Sequence, residues 1–336
     1  MSNTKPFKIL VIRFSSIGDI ILCSPVLRCL KNNPSRNFVT HLLTKKSFTS
    51  FTAGYPYLDK VIAYEDDLKT TIRELKEENY DFVLDLHNNL RSMRVKRALG
   101  KPSQAFNKLN IEKWLLTTFK IDRMPQGHIV DRLMDAARAL EIENDGKGLD
   151  FFIPEKEKVS LQSLPAPYRN GYVGFVIGGT YATKRLPADK IIEICSKLHK
   201  PVILLGGPED ADAGDHIESE LPGKVFNACG KYSLNASASL VEQAHAIISH
   251  DTGLMHIAAA FSKPMASIWG NTVPELGMYP YYPENQKHIP NRIFEIKDLK
   301  CRPCSKIGYN ACPKKHFRCM NDISAHEVAS WVNSVG

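Results

Sequence analysis

Short apolar runs alternate with amphipathic stretches along most of the chain. In the first half, the apolar runs predict strands at residues 8–14, 38–43, 60–64 and 81–86. The amphipathic stretches predict helices at residues 20–30, where Pro25 falls inside and favours a kink, and at 67–78, 90–99 and 131–140. Strands that alternate with helices predict a parallel sheet with helices on both faces.

The alternation lapses between residues 143 and 170, where turn residues and prolines concentrate. It then restarts, with strands predicted at 172–177, 201–205, 224–226, 246–248 and 265–269, and helices at 187–198, 210–221, 240–244, 254–261 and 324–335. We therefore expect two doubly wound α/β domains, at 1–165 and 166–322. The C-terminal helix within 323–336 is a candidate for packing back on the N-terminal domain.

The stretch from Ser249 to Phe261 carries the most informative pattern. The apolar run before it predicts a buried strand, and Asp251-Thr252-Gly253 has the chemistry of a turn and a helix N-cap. A helix that begins where a parallel strand ends directs its free N–H groups and its positive dipole end above the sheet, where α/β proteins bind phosphorylated ligands. Taken alone, the same three residues are weak evidence for a ligand site, because most such turns only cap a helix.

Composition narrows the class of protein without changing this picture. The 336 residues are enough for two domains, and 43% hydrophobic and 24% charged residues are ordinary for a soluble globular protein. No apolar run approaches the roughly 20 residues that span a bilayer, and the N-terminus has no signal-peptide core. We therefore expect a cytoplasmic protein.

The net charge of +8 comes partly from two basic clusters. The first consists of Arg91, Arg94, Lys96, Arg97 and Lys101, and the second of Lys297, Lys300, Arg302, Lys306, Lys314, Lys315 and Arg318. Such clusters suit an anionic partner, although a solvated helix face gives the same pattern. The chain contains no zinc-finger, RRM or KH signature, so we expect no nucleic-acid partner.

Four of the eight cysteines fall within one short segment, as Cys301-x2-Cys304-x7-Cys312-x6-Cys319. Because disulfides are rare in the cytosol, a structural zinc ion held by the four thiolates is one expectation. The spacing departs from the paired CxxC knuckles of common zinc sites, which leaves free or adventitiously oxidised thiols as the alternative. The other four cysteines lie in apolar settings and are expected to be buried thiols.

Four segments, at residues 8–25, 85–91, 178–187 and 249–260, resemble glycosyltransferase family 9, the heptosyltransferases of lipopolysaccharide core assembly. The resemblance implies the GT-B fold, two Rossmann-like domains facing a central cleft. It also implies transfer of a heptose from ADP-L-glycero-β-D-manno-heptose, with inversion and without a catalytic metal. The implied acceptor is a lipid-linked, phosphorylated core glycan, reached by peripheral contact with the cytoplasmic face of the inner membrane.

The resemblance assigns roles on the N-terminal side. Asp19 matches the family's proposed general base, although a cap for the helix starting at Ile20 is the competing interpretation. Gly18 allows the tight turn before it. The residues implied to bind the acceptor are Arg13, Ser15, Ser16, Gly18 and Arg91.

On the C-terminal side, the resemblance implies that Lys184 and Thr180 contact phosphate and that the N–H groups of Thr252 and Gly253 add donors. The remaining implied contacts are Glu209 to ribose, Asp251 and His256 to the sugar and diphosphate, and Tyr232 and Leu234 to adenine. Each has a plainer alternative: a surface lysine, an acid at a helix N-terminus, or a packed core histidine.

Three functions compete at this stage. The first is the inverting transferase, with ADP-heptose or another nucleotide sugar as donor. The second is a nucleotide-sugar epimerase of similar two-domain build, whose acid and base residues are not recognisable in this sequence. The third is a non-catalytic nucleotide- or glycan-binding module, against which the combination of Asp19, Lys184 and Asp251 argues.

Overall fold

The computed structural model describes residues 5–335, and the chain divides into two compact units. The first comprises Met1–Lys108 and Gly127–Phe152, and the second comprises Leu109–Gln126 and Ile153–Gly336. The ring of Phe152 contacts those of Tyr55 and Tyr57 in the first unit, whereas Val159 donates its N–H to Ser239 in the second. The last change from the first unit to the second therefore falls between residues 152 and 153.

The first unit is an α/β layer structure around a five-stranded parallel sheet. Its strands are β1 (Phe7–Ile12), β2 (Phe38–Lys45), β3 (Lys60–Tyr64), β4 (Phe82–Asp85) and β5 (Ser103–Ala105), in the order β3-β2-β1-β4-β5. Its helices are α1 (Ile17–Ile21), α2 (Ser24–Lys31), α3 (Thr49–Thr52), α4 (Leu68–Glu77), α5 (Leu90–Leu99) and α7 (Ile129–Ala137). The central strand β1 buries Ile9 to Ile12 completely, as expected for a strand covered on both faces.

One stretch that was predicted as a single helix forms two helices. The stretch expected to run from residue 20 to 30 with a kink at Pro25 divides into α1 and α2, joined at Leu22 and Cys23. Pro25 lies in the first turn of α2, where no intrahelical hydrogen bond is lost because the proline N–H would be unpaired there in any case. The break leaves α1 as a single short helix directly after β1.

The second unit contains a six-stranded parallel sheet. Its strands are β6 (Val173–Val176), β7 (Val202–Leu205), β8 (Val225–Asn227), β9 (Ala246–His250), β10 (Met265–Trp269) and β11 (Asn291–Glu295), in the order β11-β10-β9-β6-β7-β8. Its helices are α6 (Asn110–Phe119), α8 (Ala188–Lys197), α9 (Ala211–Glu220), α10 (Leu234–Gln243), α11 (Gly253–Ala260), α12 (Arg318–Asn321) and α13 (Ala325–Ser334).

The C-terminal helix α13 packs against α8 and β10 of the second unit. Its inner face, Val328, Ala329 and Val332, is buried in the same core cluster as Ile194. At its start, Ser324 accepts the N–H of Glu327 and so caps the helix. Across residues 5–335, every helix is too short or too polar to reach across a bilayer.

Candidate active site

In the first unit, the chain runs from β1 outward to β2 and β3, then crosses to β4 on the other side of β1. The loops after β1 and β4 therefore diverge, and such a reversal in strand order opens a crevice at the carboxyl ends of the strands. The loop from Arg13 to Ser16, with α1 behind it, follows β1. The segment from Leu86 to Asn89, with the basic helix α5 behind it, follows β4.

Asp19 lies at this reversal, as the third residue of α1. One carboxylate oxygen pairs with the Arg13 guanidinium at 2.5 Å, and the other accepts the Ser16 N–H at 3.1 Å and the Ser16 hydroxyl at 2.9 Å. Burial by itself would raise the pKa of Asp19, but Arg13 and the Ser16 hydrogen bonds outweigh it and lower that pKa to about 2. The carboxylate is therefore ionised at neutral pH, and it also caps α1.

Arg13 is buried, and its guanidinium contacts three groups of the first unit. Besides pairing with Asp19, its guanidinium donates to the carbonyl oxygens of Ser15, at 3.0 Å, and Leu86. It thus joins the ends of β1 and β4. In the Arg13–Asp19 pair the side chain of the arginine is 7% exposed and that of the aspartate 23%, so the carboxylate is the member that solvent reaches.

Aromatic packing holds a second cation near this pair. The Arg91 guanidinium lies 5.2 Å from the ring centre of Phe14 and 4.6 Å from that of Tyr64. The His87 ring packs edge-on against Phe14 at 5.4 Å. Burial, followed by the charge of Arg13, lowers the pKa of His87 to about 4, so its imidazole is neutral at pH 7.

Of the residues implied to bind the acceptor, Ser15 is partly exposed, Ser16 is exposed, and Gly18 is buried inside α1. Sequence reasoning missed His87 and Tyr64. The signal for His87 was available, because it is the central residue of the Asp85-Leu-His-Asn-Asn segment that follows β4. Tyr64 gave no such signal, since it looks like the last apolar residue of a buried strand.

The second unit has the same kind of reversal, between β6 and β9. Lys184 comes from the loop after β6 and Asp251 from the end of β9, and they pair at 2.6 Å. Thr272, after β10, donates its hydroxyl to the same Asp251 oxygen at 3.0 Å. Here the side chain of the lysine is 17% exposed and that of the aspartate 8%, so the cation is the more accessible member.

The helix α11 begins beside this pair. Its N-cap is Thr252, whose backbone is extended and whose side chain makes no capping bond, so the first N–H groups of the helix have no partner from that side chain. The Thr252 hydroxyl is buried without a hydrogen bond in the part of the chain that is described. Gly253 is the first helical residue, and His256 is buried at 1% exposure on the fourth position of α11.

One hydrogen bond and one ion pair fix the loop that carries Lys184. The ring of His250 accepts the N–H of Leu186 at 3.1 Å, and burial lowers the pKa of His250 to about 4, which keeps the ring neutral and able to accept. Arg185 pairs with the buried Asp210 at 3.0 Å, and this joins the loop after β6 to the turn after β7.

The other residues implied to bind the donor follow neighbouring strands. Thr180 is exposed in the loop after β6, and Glu209 is exposed in the 3-10 turn after β7. Tyr232 and Leu234 are partly buried and follow β8 at the far side of the sheet, and Leu234 is the first residue of α10. These residues lie after adjacent parallel strands β6, β7 and β8, and therefore at one edge of the sheet.

The four-cysteine segment braces this edge. The buried Arg302 donates to the carbonyl oxygens of Gly270, at 2.5 Å, and Thr272, at 2.9 Å, and pairs with Glu295 at 2.6 Å. Tyr309 exchanges hydrogen bonds with Thr183, the residue before Lys184. The segment therefore fixes the positions of the loops after β6 and β10.

The structure does not assemble the zinc site that was one expectation from the cysteine spacing. Cys301, Cys304, Cys312 and Cys319 are free thiols, and within residues 5–335 no group of three or more His, Cys, Asp or Glu side chains is arranged to hold a metal ion. Burial raises the pKa of Cys319 to about 12, so this thiol is protonated. Cys301 instead lies 3.7 Å from the His316 ring.

The sequence of the chain matches the model of glycosyltransferase family 9 (heptosyltransferase) over residues 69–307, more than half of its length. Lipopolysaccharide heptosyltransferase 1 of Pseudomonas aeruginosa is 25% identical over 95% of this chain and 92% of its own length. Lipooligosaccharide heptosyltransferase 2 of Haemophilus influenzae is 24% identical over 89% of this chain and 92% of its own.

Among solved structures, ADP-heptose lipopolysaccharide heptosyltransferase II of Escherichia coli superposes with a TM-score of 0.74 at 22% identity, and the match covers 98% of both chains. At that identity the likeness establishes the fold. It confirms the α/β class with two Rossmann-like units of the GT-B type that the resemblance implied.

Proposed function

This chain belongs to glycosyltransferase family 9, and is therefore a glycosyltransferase of the heptosyltransferase family; on that premise we propose that it transfers a heptose from ADP-heptose to a lipopolysaccharide inner-core acceptor, with inversion. The observation that carries the proposal is the opposite burial of two ion pairs. The Arg13–Asp19 pair leaves its carboxylate accessible, and the Lys184–Asp251 pair leaves its ammonium accessible. An accessible carboxylate suits proton removal, and an accessible ammonium suits a phosphate.

In this proposal Asp19 accepts the proton of the acceptor hydroxyl as that oxygen attacks the anomeric carbon. Its pKa of about 2 keeps it ionised, and Arg13 and Ser16 fix its two oxygens. A single attack from the face opposite the leaving diphosphate forms the new glycosidic bond, breaks the bond to phosphate oxygen and inverts the anomeric centre. Arg13 thus acts as a positioning residue, because its guanidinium is buried against Asp19.

The leaving ADP takes the electron pair of the broken bond, so negative charge grows on its phosphate oxygens. We assign that charge to the Lys184 ammonium, the Thr180 hydroxyl and the N–H groups at the start of α11, from Thr252 and Gly253. The Asp251 carboxylate fixes the position of Lys184 through their ion pair. These groups supply positive charge without a catalytic metal.

The remaining donor contacts rest on the same edge of the second sheet. Glu209 is proposed to accept hydrogen bonds from the ribose hydroxyls, and Tyr232 and Leu234 to frame the adenine. His256 is proposed to face the sugar and diphosphate. On the acceptor side, Ser15 and Ser16 are proposed to hydrogen-bond the glycan and Arg91 to pair with one of its anionic groups.

The test is ADP release from ADP-heptose in the presence of a heptose-deficient lipopolysaccharide acceptor. Asp19→Asn keeps the size of the side chain and an oxygen for the Ser16 N–H but removes the base, and we expect kcat to fall by about 10²–10⁴-fold. Asp67→Asn is the matched control, because Asp67 also caps a helix of the first unit but lies in the cap of α4. The control variant is expected to keep wild-type turnover.

Three outcomes would contradict the proposal. Turnover that survives Asp19→Asn would remove Asp19 as the base. Turnover with a different nucleotide sugar only would keep the enzyme class but replace the donor. Failure to turn over any nucleotide sugar, with ADP still bound, would indicate a nucleotide-binding module.

A further inference from the structure

An open cavity of about 390 Å³ lies in the four-cysteine segment of the second unit. This volume falls in the range of roughly 300–1,000 Å³ in which proteins bind small molecules. The polar lining of the cavity is one thiol, one imidazole, three cations and one carboxylate, and none of these groups is assigned to the donor or the acceptor. They belong to Cys301, His316, Lys300, Lys314, Arg318 and Asp298. We call this site the Cys301 cavity.

Cys301 differs from the other three cysteines of its segment. Among the described residues that line the Cys301 cavity, it is the only cysteine, and its side chain is partly exposed. Cys319 is buried, and burial raises the pKa of the Cys304 thiol. A small molecule that enters the cavity therefore reaches the sulfur of Cys301 before that of any neighbouring cysteine.

The ring of His316 is fixed beside this sulfur. Its Nδ1 accepts the Arg318 N–H at 3.0 Å, so a neutral ring carries its proton on Nε2. Nε2 lies 3.7 Å from the Cys301 sulfur, which is therefore the acceptor of this contact. A sulfur that accepts a hydrogen bond is favoured as a thiolate, and the thiolate is the form of cysteine that attacks disulfides.

The backbone on both sides of His316 has an uncommon conformation. Lys315 and Phe317 have φ angles of 62° and 46°, in the left-handed region that side chains other than glycine rarely adopt. Such residues persist where the surrounding structure holds them, and they concentrate at functional sites. The position of the imidazole next to Cys301 therefore depends on a defined turn.

The charges of the lining indicate what the cavity would bind. Lys300 and Lys314 are exposed, and Arg318, which also pairs with Asp322 at 2.8 Å, adds a third cation. The lining itself contains one carboxylate, that of Asp298, so the cavity attracts anions but also offers a partner to an ammonium group. A peptide-derived disulfide such as glutathione disulfide has carboxylates, ammonium groups, a net negative charge and a sulfur that Cys301 can attack. A phosphate would use the cations alone.

We propose that Cys301 is a modification site, at which an anionic peptide-derived disulfide forms a mixed disulfide with this protein. The Cys301 sulfur, after losing its proton to water, attacks one sulfur of the ligand. A bond forms between these two sulfurs, the disulfide bond of the ligand breaks, and the other half of the ligand leaves as a thiolate that takes a proton from water. One disulfide is consumed and one is formed, so the step needs no further oxidant.

The experiment is incubation of the full chain with glutathione disulfide, followed by mass spectrometry of the intact chain and of its peptides. We expect one adduct per chain, on Cys301, and one reduced glutathione released. Cys301→Ser should lose the adduct. Cys312→Ser is the matched control, because Cys312 is also partly exposed in the same segment but lies outside the lining of the cavity, and this variant should keep the adduct.

A comparison of two disulfides tests the role of the cations without changing the thiol. In the double variant Lys300→Gln, Lys314→Gln, exchange with glutathione disulfide should slow at least about tenfold, whereas exchange with the uncharged 2-hydroxyethyl disulfide should keep the wild-type rate. Lys306→Gln is the control, since Lys306 is an exposed lysine of the same basic cluster that does not line the cavity. It should leave both rates unchanged.

Four results would overturn the proposal. The first is an adduct that forms chiefly on Cys304 or Cys312, and the second is equal slowing of both disulfides, or of neither, in the double lysine variant. The third is release of two glutathiones per chain, which would indicate a disulfide within the segment. The fourth is one zinc ion bound per chain as purified, since the thiols would then be metal ligands. The exchange uses no residue of the proposed transfer, so loss of turnover in the transferase assay would leave it intact.

Discussion

The two units place the same kind of ion pair at the same point of a parallel sheet, but they leave opposite charges accessible. Each places an aspartate and a basic residue at the point where the strand order of its parallel sheet reverses. In the first unit the arginine is buried and the aspartate is the accessible member, and in the second the aspartate is buried and the lysine is the accessible member. A buried partner neutralises and orients the accessible one, so its burial decides which charge a ligand meets.

The comparison also shows a shared feature. Each reversal contains one neutral histidine, His87 in the first unit and His250 in the second, and the pKa of each is lowered to about 4 by burial. His250 accepts a backbone N–H and is structural. His87 packs against Phe14 beside the Arg13–Asp19 pair. The imidazole therefore accepts a backbone hydrogen bond in the second unit, and in the first unit it packs on an aromatic ring beside the candidate base.

After the loss of the base in Asp19→Asn, removing the accessible cation of the second unit should have the largest effect. Lys184→Met eliminates the ammonium proposed to meet the diphosphate, and we expect kcat/KM for the donor to fall by about 10²–10³-fold. It also leaves Asp251 buried without a cation, at a cost of about 3–5 kcal/mol in the free energy of unfolding. Lys184→Met, Asp251→Asn should regain stability in a urea titration but not activity.

The control for this substitution is Lys190→Met, which removes a surface lysine paired with Glu193 on α8. It should leave both the kinetics and the urea midpoint unchanged. Wild-type kcat/KM in Lys184→Met would show that the accessible lysine has no part in donor binding, and the contrast between the two units would lose its meaning.

The buried histidine of the second unit predicts a pH dependence of stability. Its pKa is lowered to about 4 in the fold, so the unfolded chain binds more protons below its ordinary value of 6.5. Stability is therefore complete above about pH 6.5 and falls as the pH drops toward 4, by up to about 3 kcal/mol. His250→Gln keeps an acceptor for the Leu186 N–H and should make this fall shallower, and the share of His87 should remain. Urea titrations between pH 4 and 7 measure it, and identical slopes for both proteins would contradict the assignment.

Removing the buried cation of the first unit should change pH dependence more than maximal rate. In Arg13→Met, burial of Asp19 is no longer opposed by the guanidinium, so the pKa of this carboxyl rises and the acid limb of the rate profile moves to higher pH. We expect a loss of kcat/KM that grows as the pH falls and diminishes at alkaline pH. Arg36→Met, which removes a cation stacked on Phe7, should leave the profile in place. A uniform loss of kcat/KM at every pH would mean that Arg13 only positions Asp19 and does not affect its pKa.

The smallest effect is expected at Arg91. Arg91→Lys keeps the charge but loses the planar guanidinium that lies over Phe14 and Tyr64, and we expect the KM for acceptor to rise about three- to tenfold. ADP affinity should be unchanged. Arg94→Lys, on an exposed position of the same helix, is the control. Equal effects of the two substitutions would show that the basic helix contributes only general charge.

Sequence reasoning recovered most of the framework because helix and strand periods are local. The basic helix α5 begins and ends where it was predicted, and Asp67 caps α4 as turn chemistry suggests. Pieces without a clear period were missed. The three-residue strand β5 and the helix α6 carry no clear period, since α6 exposes much of its apolar surface. The break between α1 and α2 was misjudged because a proline in a first turn and a proline that kinks a helix look alike in sequence.

The site was predictable in its residue types but not in its pairings. Asp19, Lys184 and Asp251 stand out by their positions after strands, yet nothing local shows that Lys184 pairs with Asp251 across 67 residues. Which member of each ion pair is buried depends on packing from elements distant in sequence. The brace from Arg302 to the loop after β10 is equally nonlocal, and the cysteines around it suggested a metal that the folded segment is not arranged to hold.

The division of labour between the two units is tested most directly by calorimetric titration of ADP into Asp19→Asn and Lys184→Met. We predict that Asp19→Asn binds ADP with the wild-type Kd although it has lost turnover, and that Lys184→Met binds ADP at least about tenfold more weakly. If Asp19→Asn weakens ADP binding as much as Lys184→Met does, or if Lys184→Met retains the wild-type Kd, the accessible carboxylate and the accessible ammonium do not have the separate roles assigned to them here.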